Sequence, residues 1–525
     1  MTGAGLAAAD WRRQYADRVV TAAEAVTHIE SGDRVVVGHA CGEPTLLMAA
    51  MVANAAQYRD VEIVHLVPMG DSAYLAPALA ESFRHNSLFA GGGTRAAIAE
   101  GRADFTPVFF SQIPDLLRGA LPVDVALVNL SPPDAHGYCS FGASVDYTKP
   151  AAESARTVIA QVNPRVPRTL GESFIHVSEL DYIVEVDEPL IELSPPTIRD
   201  VERSIGRHCA SLVRDGDTLQ LGIGSIPDAV LLSLGDKKDL GIHSEMLSDG
   251  VVVLLESGVI NNVRKNFHPG RSVVTFIMGT QQLYDYVADN PAVEMAPVDF
   301  VNDPRVIAEN DNMVSINSCV QVDLMGQVAS ESVGLRQISG VGGQVDFVRG
   351  ASMSRGGRTI MAMPSTARKG TVSKIVPLLD EGAAVTTSRC DVDYVVTEHG
   401  VAQLHGRSLR GRARELIAVA HPDFRAGLEA EYERRFHEST VLAGGPLPGR
   451  RGQRSHCPKS SRAVSPPRSA PRWRSAPPSS VPRGGRAPRR PTARKRSSTG
   501  SPRWSPSTAL SRSGCTRRSP RPPPS

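Results

Sequence analysis

Residues 219–230 read Leu-Gln-Leu-Gly-Ile-Gly-Ser-Ile-Pro-Asp-Ala-Val, which predicts a strand, a tight turn and a helix. The apolar run ends at Gly222, and Pro227 suits the first turn of a helix. Glycines at 222 and 224 let a ligand approach the backbone, and a helix N-terminus favours anionic groups. A dinucleotide-binding turn would have a third glycine where Pro227 stands, so a nicotinamide enzyme is disfavoured. A tight turn without a ligand is the alternative.

The same alternation of apolar runs and helical stretches continues through most of residues 1–440. β-branched runs predict strands at 34–37, 61–67, 123–128, 173–177, 218–222 and 272–277, with helices at 22–29, 196–213 and 226–234. Short apolar strands separated by helices are typical of largely parallel sheets that helices cover. The predicted fold class is therefore α/β.

A proline-rich joint, Leu193-Ser-Pro-Pro-Thr, marks the predicted domain boundary, because paired prolines end regular elements. We expect an N-terminal domain at 1–194 and a second domain at 195–440. Two similar phrases, Ser31-Gly-Asp-Arg-Val-Val-Val and Arg214-Asp-Gly-Asp-Thr-Leu-Gln-Leu, each follow a predicted helix. This weak internal echo suggests two α/β units of related design.

Residues 441–525 differ in composition from the rest of the chain. The stretch 446–525 holds 20 Lys and Arg and no Asp or Glu, which leaves 38 basic against 55 acidic residues in 1–445, a net charge of −17. An Arg/Pro/Ser-rich segment without apolar periodicity buries too little surface to fold, so we expect disorder.

Three origins of this tail stay open: a plain disordered extension, the product of a shifted reading frame, and an arm that binds nucleic acid through its charge. Its only aromatic side chains of the kind that stack on bases are Trp473 and Trp504. Arms that bind nucleic acid usually combine positive charge with aromatic side chains that stack on the bases. With so few aromatic side chains in the tail, we do not expect nucleic-acid binding.

Composition also bears on the compartment. No apolar run reaches the roughly 18 residues that span a bilayer, and the N-terminus lacks the basic flank and apolar core of a signal peptide. The seven cysteines are scattered without a Cys-x-x-Cys pair, which argues against a disulfide framework and a zinc site. We therefore expect a cytoplasmic protein without a metal ion and outside the membrane.

Residues 240–262 read Leu-Gly-Ile-His-Ser-Glu-Met-Leu-Ser-Asp-Gly-Val-Val-Val-Leu-Leu-Glu-Ser-Gly-Val-Ile-Asn-Asn. A short strand at 241–243 is predicted to bring Ser244 and Glu245 to the start of a helix over 249–257. A carboxylate at a strand-to-helix junction lies at the rim of a sheet, where the active sites of α/β enzymes gather. The alternative is that Glu245 only caps the following turn.

A third segment reads Gly340-Val-Gly-Gly-Gln-Val-Asp-Phe-Val-Arg-Gly. Its successive glycines, with Asp346 and Arg349, favour a nest of backbone N–H groups for an anion or a developing oxyanion. Read alone, the segment is equally a plain turn.

Four motifs occur in order along the chain: Gly222-Ile-Gly-Ser-Ile-Pro-Asp-Ala-Val, His243-Ser-Glu-Met-Leu-Ser-Asp-Gly, Gly340-Val-Gly-Gly-Gln-Val-Asp-Phe-Val-Arg-Gly-Ala and Thr397-Glu-His-Gly-Val-Ala-Gln-Leu. Together they resemble the acetyl-CoA hydrolase/transferase family, which includes 4-hydroxybutyrate, butyrate and succinate:acetate CoA-transferases. The resemblance runs from about Trp11 to Phe436. It implies two tandem CoA-transferase domains, acyl-CoA and small carboxylates as substrates, no permanently bound cofactor, and a homodimer.

The resemblance also implies roles for individual residues. Glu245 matches the catalytic glutamate, and Gly343 matches a glycine whose amide contributes to the oxyanion and CoA site. Asn302 matches an asparagine implicated in active-site positioning, although the residue after it differs from the family's usual one. The residues expected to contact coenzyme A are Gly222, Ile223, Gly224, Ser225, Ile226, Ser339, Gly343 and Lys369, with Arg368 as an alternative to Lys369.

The implied reaction moves CoA from an acyl-CoA, first of all acetyl-CoA, to a small carboxylate through a glutamyl-CoA thioester. Glutamate has a reference pKa of about 4.3, so it needs no general base at neutral pH. A hydrolase on the same scaffold is the near alternative, because water that reaches either intermediate discharges the thioester. A sugar-phosphate isomerase of related topology and a nucleic-acid-binding protein that relies on the tail are distant alternatives.

Three N-terminal loops are expected to face the same cleft and to bind the acceptor carboxylate. They read Gly42-Glu-Pro, Phe89-Ala-Gly-Gly-Gly and Ser131-Pro-Pro-Asp-Ala-His-Gly. Plain turns are the alternative for each of them. His136 is not expected to act as a base, since the implied mechanism needs none.

Overall fold

The computed structural model describes residues 11–438. Two large sheets, each built mainly from parallel strands and flanked by helices, account for most of this region. The predicted α/β class with largely parallel sheets is confirmed. The tail at 441–525, for which disorder is predicted, lies outside the described residues.

The first sheet has seven strands, all parallel. Their order across the sheet is Tyr182–Glu185, Thr157–Val162, Val125–Leu130, Arg34–Val37, Val61–His65, Phe83–Ser87 and Ala103–Phe105. Successive side chains of a strand enter different hydrophobic clusters: Val36 lies in one, and Val35 and Val37 lie in another. Burial on both faces explains why these strands read as continuous apolar runs in the sequence.

The second sheet has six strands in the order Gly241–Ile242, Thr218–Leu221, Met313–Ser318, Arg358–Ala362, Tyr394–Thr397 and Gly400–Gln403. Only its last pair is antiparallel. The chain enters at Thr218–Leu221, goes to one edge, and returns on the other side at Met313–Ser318. Ligands of open α/β sheets bind at such a switch point, outside the carboxyl ends of the strands.

Helices and short strands complete the architecture. Within residues 11–438 the α-helices are Trp11–Gln14, Ala22–Ala25, Thr45–Ala53, Arg95–Ala99, Ile113–Arg118, Thr148–Ser154, Asp200–Ala210, Ser225–Leu232, Asp249–Glu256, Gln281–Val287, Val298–Val301, Pro304–Ala308, Gln344–Met353, Leu409–Val419 and Pro422–Phe436. Short strands outside the two large sheets are Tyr138–Ser140, Leu170–Gly171, Phe174–His176, Met246–Leu247, Ser272–Val274, Phe276–Ile277, Val293–Met295, Gln321–Asp323, Val328–Ala329, Ser332–Val333, Arg336–Gln337, Thr366–Ala367, Val372–Ser373 and Ile375–Val376.

Two predicted strands differ from the observed ones in their pairing or their continuity. The run at 173–177 forms the strand Phe174–His176, which pairs antiparallel with Tyr138–Ser140 instead of joining a parallel sheet. The run at 272–277 is divided in two after Val274. The division occurs because the backbone amides of Thr275 and Phe276 both donate to the Glu245 carbonyl, at 3.0 and 3.1 Å, and so leave the ladder of the first piece.

Three predicted helices are shorter than expected. The helix predicted at 196–213 is Asp200–Ala210, because the N–H of Arg199 donates to the Glu202 carboxylate at 3.1 Å and begins the helix beyond the prolines. The helix predicted at 22–29 is Ala22–Ala25, followed by a 3₁₀ turn. The helix predicted at 226–234 is Ser225–Leu232, so it begins one residue earlier and ends two residues earlier.

One hydrophobic cluster contains side chains from both sheets. Val36 and Ala126 of the first sheet belong to it, as do Leu219, Leu221 and Ile316 of the second. Each fully buried aliphatic side chain contributes about 1.5–3 kcal/mol, so a shared core of this kind holds the two sheets together. The domain division at 194 stays a prediction. No helix within residues 11–438 has the length and apolar character needed to cross a membrane.

Candidate active site

A cavity of about 270 Å3 lies at the switch point of the second sheet. Gly222 and Ile223 follow the strand Thr218–Leu221, and Asn317 and Ser318 end the neighbouring strand. The full lining comprises Phe89, Gly222, Ile223, Pro227, Glu245, Ile316, Asn317, Ser318, Ser330, Ser339, Gly340, Val341, Gly342, Gly343 and Gln344. Glu245 is the only ionisable side chain in this lining.

Glu245 lies between two very short strands, Gly241–Ile242 and Met246–Leu247. The helix predicted at 249–257 is observed at Asp249–Glu256, and the strand Met246–Leu247, which was not predicted, lies between Glu245 and this helix. The Glu245 backbone is held by the two amides that donate to its carbonyl. The preceding Ser244 hydroxyl donates to the Leu221 carbonyl at 3.1 Å and ties this segment to the end of the central strand.

Two predicted residues meet the Glu245 carboxylate. The Asn302 amide, just beyond the helix Val298–Val301, donates from Nδ2 to Glu245 Oε2 at 3.4 Å. Gly343, which precedes the helix Gln344–Met353, donates its backbone N–H to the same carboxylate. A Cβ atom at Gly343 would overlap Glu245 Oε2 and Asn302 Nδ2, so only glycine fits here.

Burial raises the pKa of Glu245 to about 7. The negative charge of Asp346 raises it further, whereas the hydrogen bonds from Asn302 and Gly343 act in the opposite direction. The carboxyl group is therefore anionic mainly above about pH 7. An anion with little hydration is a stronger nucleophile than a solvated carboxylate, because less water has to be displaced before it reacts.

The glycine loop, residues 339–343, is held by the N-terminal half of the chain. The amides of Ala90 and Phe110 donate to the carbonyls of Ser339 and Gly342, at 3.2 and 3.1 Å. A Cβ atom at Gly340 would lie 2.8 Å from the Phe89 ring, so this glycine permits close packing. The loop predicted from Phe89 to Gly93 thus takes part in the site through its first two residues, of which Phe89 lines the cavity and Ala90 holds Ser339.

The residues expected to contact coenzyme A do not all line this cavity. Gly222, Ile223, Ser339 and Gly343 line it. Gly224 lines an adjacent groove of about 710 Å3, which Ile223 also lines. Ser225 begins the next helix, Ile226 is buried in the core, and Lys369 is exposed in a hairpin turn.

Several lining residues were not singled out from the sequence. Asn317 and Ser318 had a readable signal, since they are polar residues at the end of an apolar strand. Gln344 and Ser330 had none, because their role depends on a long-range contact: Gln344 Nε2 donates to Ser330 Oγ at 2.8 Å.

The other two N-terminal loops, at 42–44 and 131–137, do not line the cavity. Glu43 accepts hydrogen bonds from the amides of Met69 and Gly70, at 2.7 and 2.8 Å, and so braces a neighbouring loop. His136 is exposed. Within residues 11–438, no group of three or more His, Cys, Asp or Glu side chains is arranged to hold a metal ion.

Residues 6–194 match the acetyl-CoA hydrolase/transferase N-terminal domain, and residues 279–432 match the acetyl-CoA hydrolase/transferase C-terminal domain. The chain belongs to the acetyl-CoA hydrolase/transferase family. Members of this family are enzymes, so the cavity with its single carboxylate is the active-site candidate of an enzyme.

Individual family members are similar over most of their length. The 4-hydroxybutyrate coenzyme A transferase of Clostridium kluyveri is 63% identical over 428 residues, which cover 81% of this chain and all of that protein. A succinyl-CoA:cyclohexane-1-carboxylate CoA transferase of Geobacter metallireducens is 48% identical, over 80% of this chain and 95% of its own. The crystal structure of a 4-hydroxybutyrate CoA-transferase from Porphyromonas gingivalis is 47% identical with a TM-score of 0.71, over 81% of this chain and all of that one.

Proposed function

We propose that this enzyme is a CoA-transferase that moves CoA from an acyl-CoA, with acetyl-CoA as the first donor, to a small carboxylate, with Glu245 as the covalent nucleophile. The observation that carries the proposal is a single carboxylate in the cavity, met by the Asn302 amide and the Gly343 N–H. The similar proteins named above support transferase chemistry, since their names describe CoA transfer.

In the first half-reaction a carboxylate oxygen of Glu245 attacks the thioester carbonyl carbon of the acyl-CoA. The new C–O bond places an electron pair on the carbonyl oxygen. When this oxyanion collapses, the C–S bond breaks and CoA leaves as a thiolate, which gives a mixed anhydride. The thiolate then attacks the Glu245 side-chain carbonyl, the donor carboxylate leaves, and a glutamyl-CoA thioester results.

The second half-reaction reverses these steps with a new acid. The acceptor carboxylate attacks the glutamyl thioester, expels the thiolate and forms a second anhydride. The thiolate then attacks the acceptor's acyl carbon, which regenerates the Glu245 carboxylate and releases the new acyl-CoA. The thioester bond energy is conserved, and no proton has to be supplied.

The protein's contribution is to position the groups and to stabilise charge. Holding thiolate and anhydride in one cavity corresponds to an effective molarity of about 10⁵ M or more. The Gly343 N–H and the Asn302 amide, which meet the carboxylate before reaction, are the donors we propose for the oxyanions.

We propose that the segment Gly222–Ile226 and Ser339 bind CoA near its sulfur, and that Lys369 binds a more distant phosphate group. Lys369 lies in the turn between the strands Thr366–Ala367 and Val372–Ser373. The base of this hairpin is attached beside the cavity, because Lys374 Nζ donates to the Cys319 carbonyl at 3.0 Å.

We further propose a cytoplasmic homodimer as the working form. The compartment is supported by the five free cysteines of the described region, of which Cys41, Cys139, Cys209 and Cys319 are buried and Cys390 is exposed. The dimer is supported by the family resemblance alone, and sedimentation of the purified enzyme tests it.

The test of the function is Glu245→Ala, with the exposed Glu81→Ala as the matched control. We expect Glu245→Ala to lower transfer at least about a thousandfold while its unfolding curve stays normal. In the wild type, acyl-CoA alone should form an enzyme–CoA species that borohydride reduces at Glu245, and initial rates should be ping-pong. Labelling at another residue, or near-normal turnover of the variant, would contradict the proposal. CoA release without an acceptor would instead identify a hydrolase.

A further inference from the structure

Asp346 is a second carboxylate that stands behind the candidate nucleophile. It lies in the first turn of the helix Gln344–Met353 and is only 3% exposed. Its two oxygens accept hydrogen bonds from Ser111, Oδ2 from the backbone N–H at 3.0 Å and Oδ1 from the hydroxyl at 2.9 Å. Both bonds join the glycine loop's helix to a segment of the N-terminal half of the chain.

The two carboxylates are linked by one amide. Asn302 donates to Glu245 at 3.4 Å, and the same side chain lowers the pKa of Asp346. The Asn302 side chain is fully buried, and its Oδ1 has no hydrogen-bond partner within residues 11–438. The amide thus faces the carboxylates with its nitrogen and leaves its buried oxygen without a partner, and a buried polar atom without a hydrogen bond costs free energy.

Few other charges face this pair. Arg349, one turn further along the helix, lies over the Phe109 ring at 5.0 Å, and its charge lowers the pKa of Asp346. On the strand side, the pKa of buried His243 is lowered to about 3, so this imidazole is neutral in the working range. The pKa of Asp346 is raised to about 7, chiefly by burial. Glu245 and Asp346 therefore titrate in the same pH range.

We propose that Asp346 is a positioning residue for CoA transfer, which fastens the glycine loop to Ser111 and sets a second buried negative charge against Glu245. The inference rests on Glu245 being the nucleophile. The resting Glu245 carboxylate is repelled by Asp346, whereas Glu245 is uncharged in the anhydride and in the thioester. The repulsion between the two side chains is thus relieved on acylation, when the negative charge leaves Glu245 for the oxyanion and then for the CoA thiolate.

Two variants distinguish the attachment of the glycine loop from the effect of the Asp346 charge. Asp346→Asn removes the charge but keeps an oxygen to accept from the Ser111 N–H. Ser111→Ala keeps the charge but removes the hydroxyl that fastens the loop. Asp236→Asn, a change of an exposed carboxylate, controls for the loss of one negative charge.

The measurement is the single-turnover rate of enzyme–CoA thioester formation from acyl-CoA, from about pH 5 to about pH 9. For Asp346→Asn we expect the midpoint of the acid limb to fall by about one pH unit or more, and the rate above the midpoint to fall about tenfold. Asp236→Asn should match the wild type. An Asp346→Asn enzyme with the wild-type midpoint and rate would overturn the inference.

Ser111→Ala is expected to raise the KM for acyl-CoA about threefold or more, since a loosened glycine loop binds the thioester less well. An unchanged KM would overturn the inference that Asp346 and Ser111 hold the glycine loop in place. If Asp346→Asn does not fold, the KM of Ser111→Ala is the result that tests the proposal. If the proposed function itself is wrong, the wild-type enzyme forms no thioester at Glu245, so this failure can be distinguished from a failure of the inference about Asp346.

Discussion

At the scale of single residues, the site is a carboxylate whose charge is opposed by burial and by Asp346 and is supported by two hydrogen-bond donors. Neither donor residue has space to move. Asn302 is fully buried, and a Cβ atom at Gly343 would overlap the carboxylate. The geometry around Glu245 is therefore sensitive to the addition of a single methyl group.

Gly343→Ala tests this sensitivity. A Cβ atom there would overlap the Glu245 carboxylate and the Asn302 amide, so we expect kcat to fall about 10²–10³-fold through a displaced nucleophile and a lost oxyanion donor. The matched control is Gly427→Ala, where a Cβ atom has open space in the helix Pro422–Phe436, away from the cavity lining. Steady-state kinetics of both variants provide the measurement, and a Gly343→Ala enzyme with normal kcat would contradict the geometry.

Glu245→Gln should reveal the cost of burying the charge. The pKa of Glu245 is raised to about 7 in the fold, above its ordinary value of 4.5, so the native state binds more protons than the unfolded state between these limits. Wild-type stability therefore falls as pH rises through this window. We expect the variant to be more stable than the wild type by about 1 kcal/mol or more at about pH 8, with no gain near pH 4.5.

Urea unfolding at both pH values measures this difference, with exposed Glu81→Gln as the control. A variant that is no more stable than the wild type at the higher pH would show that the Glu245 charge is not destabilising. The buried carboxylate would then have to be stabilised by its neighbours.

At the scale of elements, short segments rather than long helices hold the site. Glu245 lies between two strands of two residues each, and its position depends on the amides of Thr275 and Phe276 and on the Ser244 hydroxyl. The glycine loop depends on backbone donors from residues 90 and 110. Such segments have little intrinsic stability, so tertiary contacts determine their conformation.

The hairpin that carries Lys369 is the element we expect to bind a phosphate group of CoA. Because the lysine is exposed, its ion pair with a phosphate should contribute about 1 kcal/mol. Lys369→Ala is then expected to raise the KM for acyl-CoA about fivefold with kcat unchanged, and the effect should weaken at high salt. Exposed Lys238→Ala is the control. If Arg368→Ala has the larger effect, the neighbouring arginine is the phosphate ligand.

At the scale of the whole molecule, charge is divided unevenly along the chain. Residues 1–445 carry a net −17, and residues 446–525 carry +20. The proposed nucleophile and CoA contacts all fall within 222–369. Opposite charges on two parts of one chain favour attraction between molecules when little salt is present.

Deleting residues 442–525 is therefore expected to leave kcat/KM unchanged and to improve solubility at low salt. Light scattering across a salt series and steady-state kinetics of the truncated and full-length proteins measure the two effects. A drop of more than about tenfold in kcat/KM, or about 1.4 kcal/mol, would show that the tail takes part in catalysis. Translating the other frames of the gene tests the shifted-frame origin.

Local sequence was sufficient for the fold class and for the main candidates. The apolar runs predicted four strands of the two large sheets, which are Arg34–Val37, Val61–His65, Val125–Leu130 and Thr218–Leu221, because burial on both faces leaves no room for polar alternation. The turn at Gly222 and the glycine segment at Gly340 were readable because glycine patterns report on the local backbone. The motif identified Glu245 as a candidate, but its position between two short strands was not predicted.

The tertiary structure alone decided which of these residues meet. Asn302 reaches Glu245 across 57 residues, and Ser111 reaches Asp346 across 235. Periodicity and turn chemistry describe neighbours in the chain, whereas such contacts depend on how two sheets pack over a shared core. The strand order of the second sheet places the cavity at its switch point, and the N-terminal half then fastens the glycine loop beside Glu245. The pKa of Glu245 is likewise a property of this packing, because burial raises it and no sequence pattern encodes burial at a single side chain.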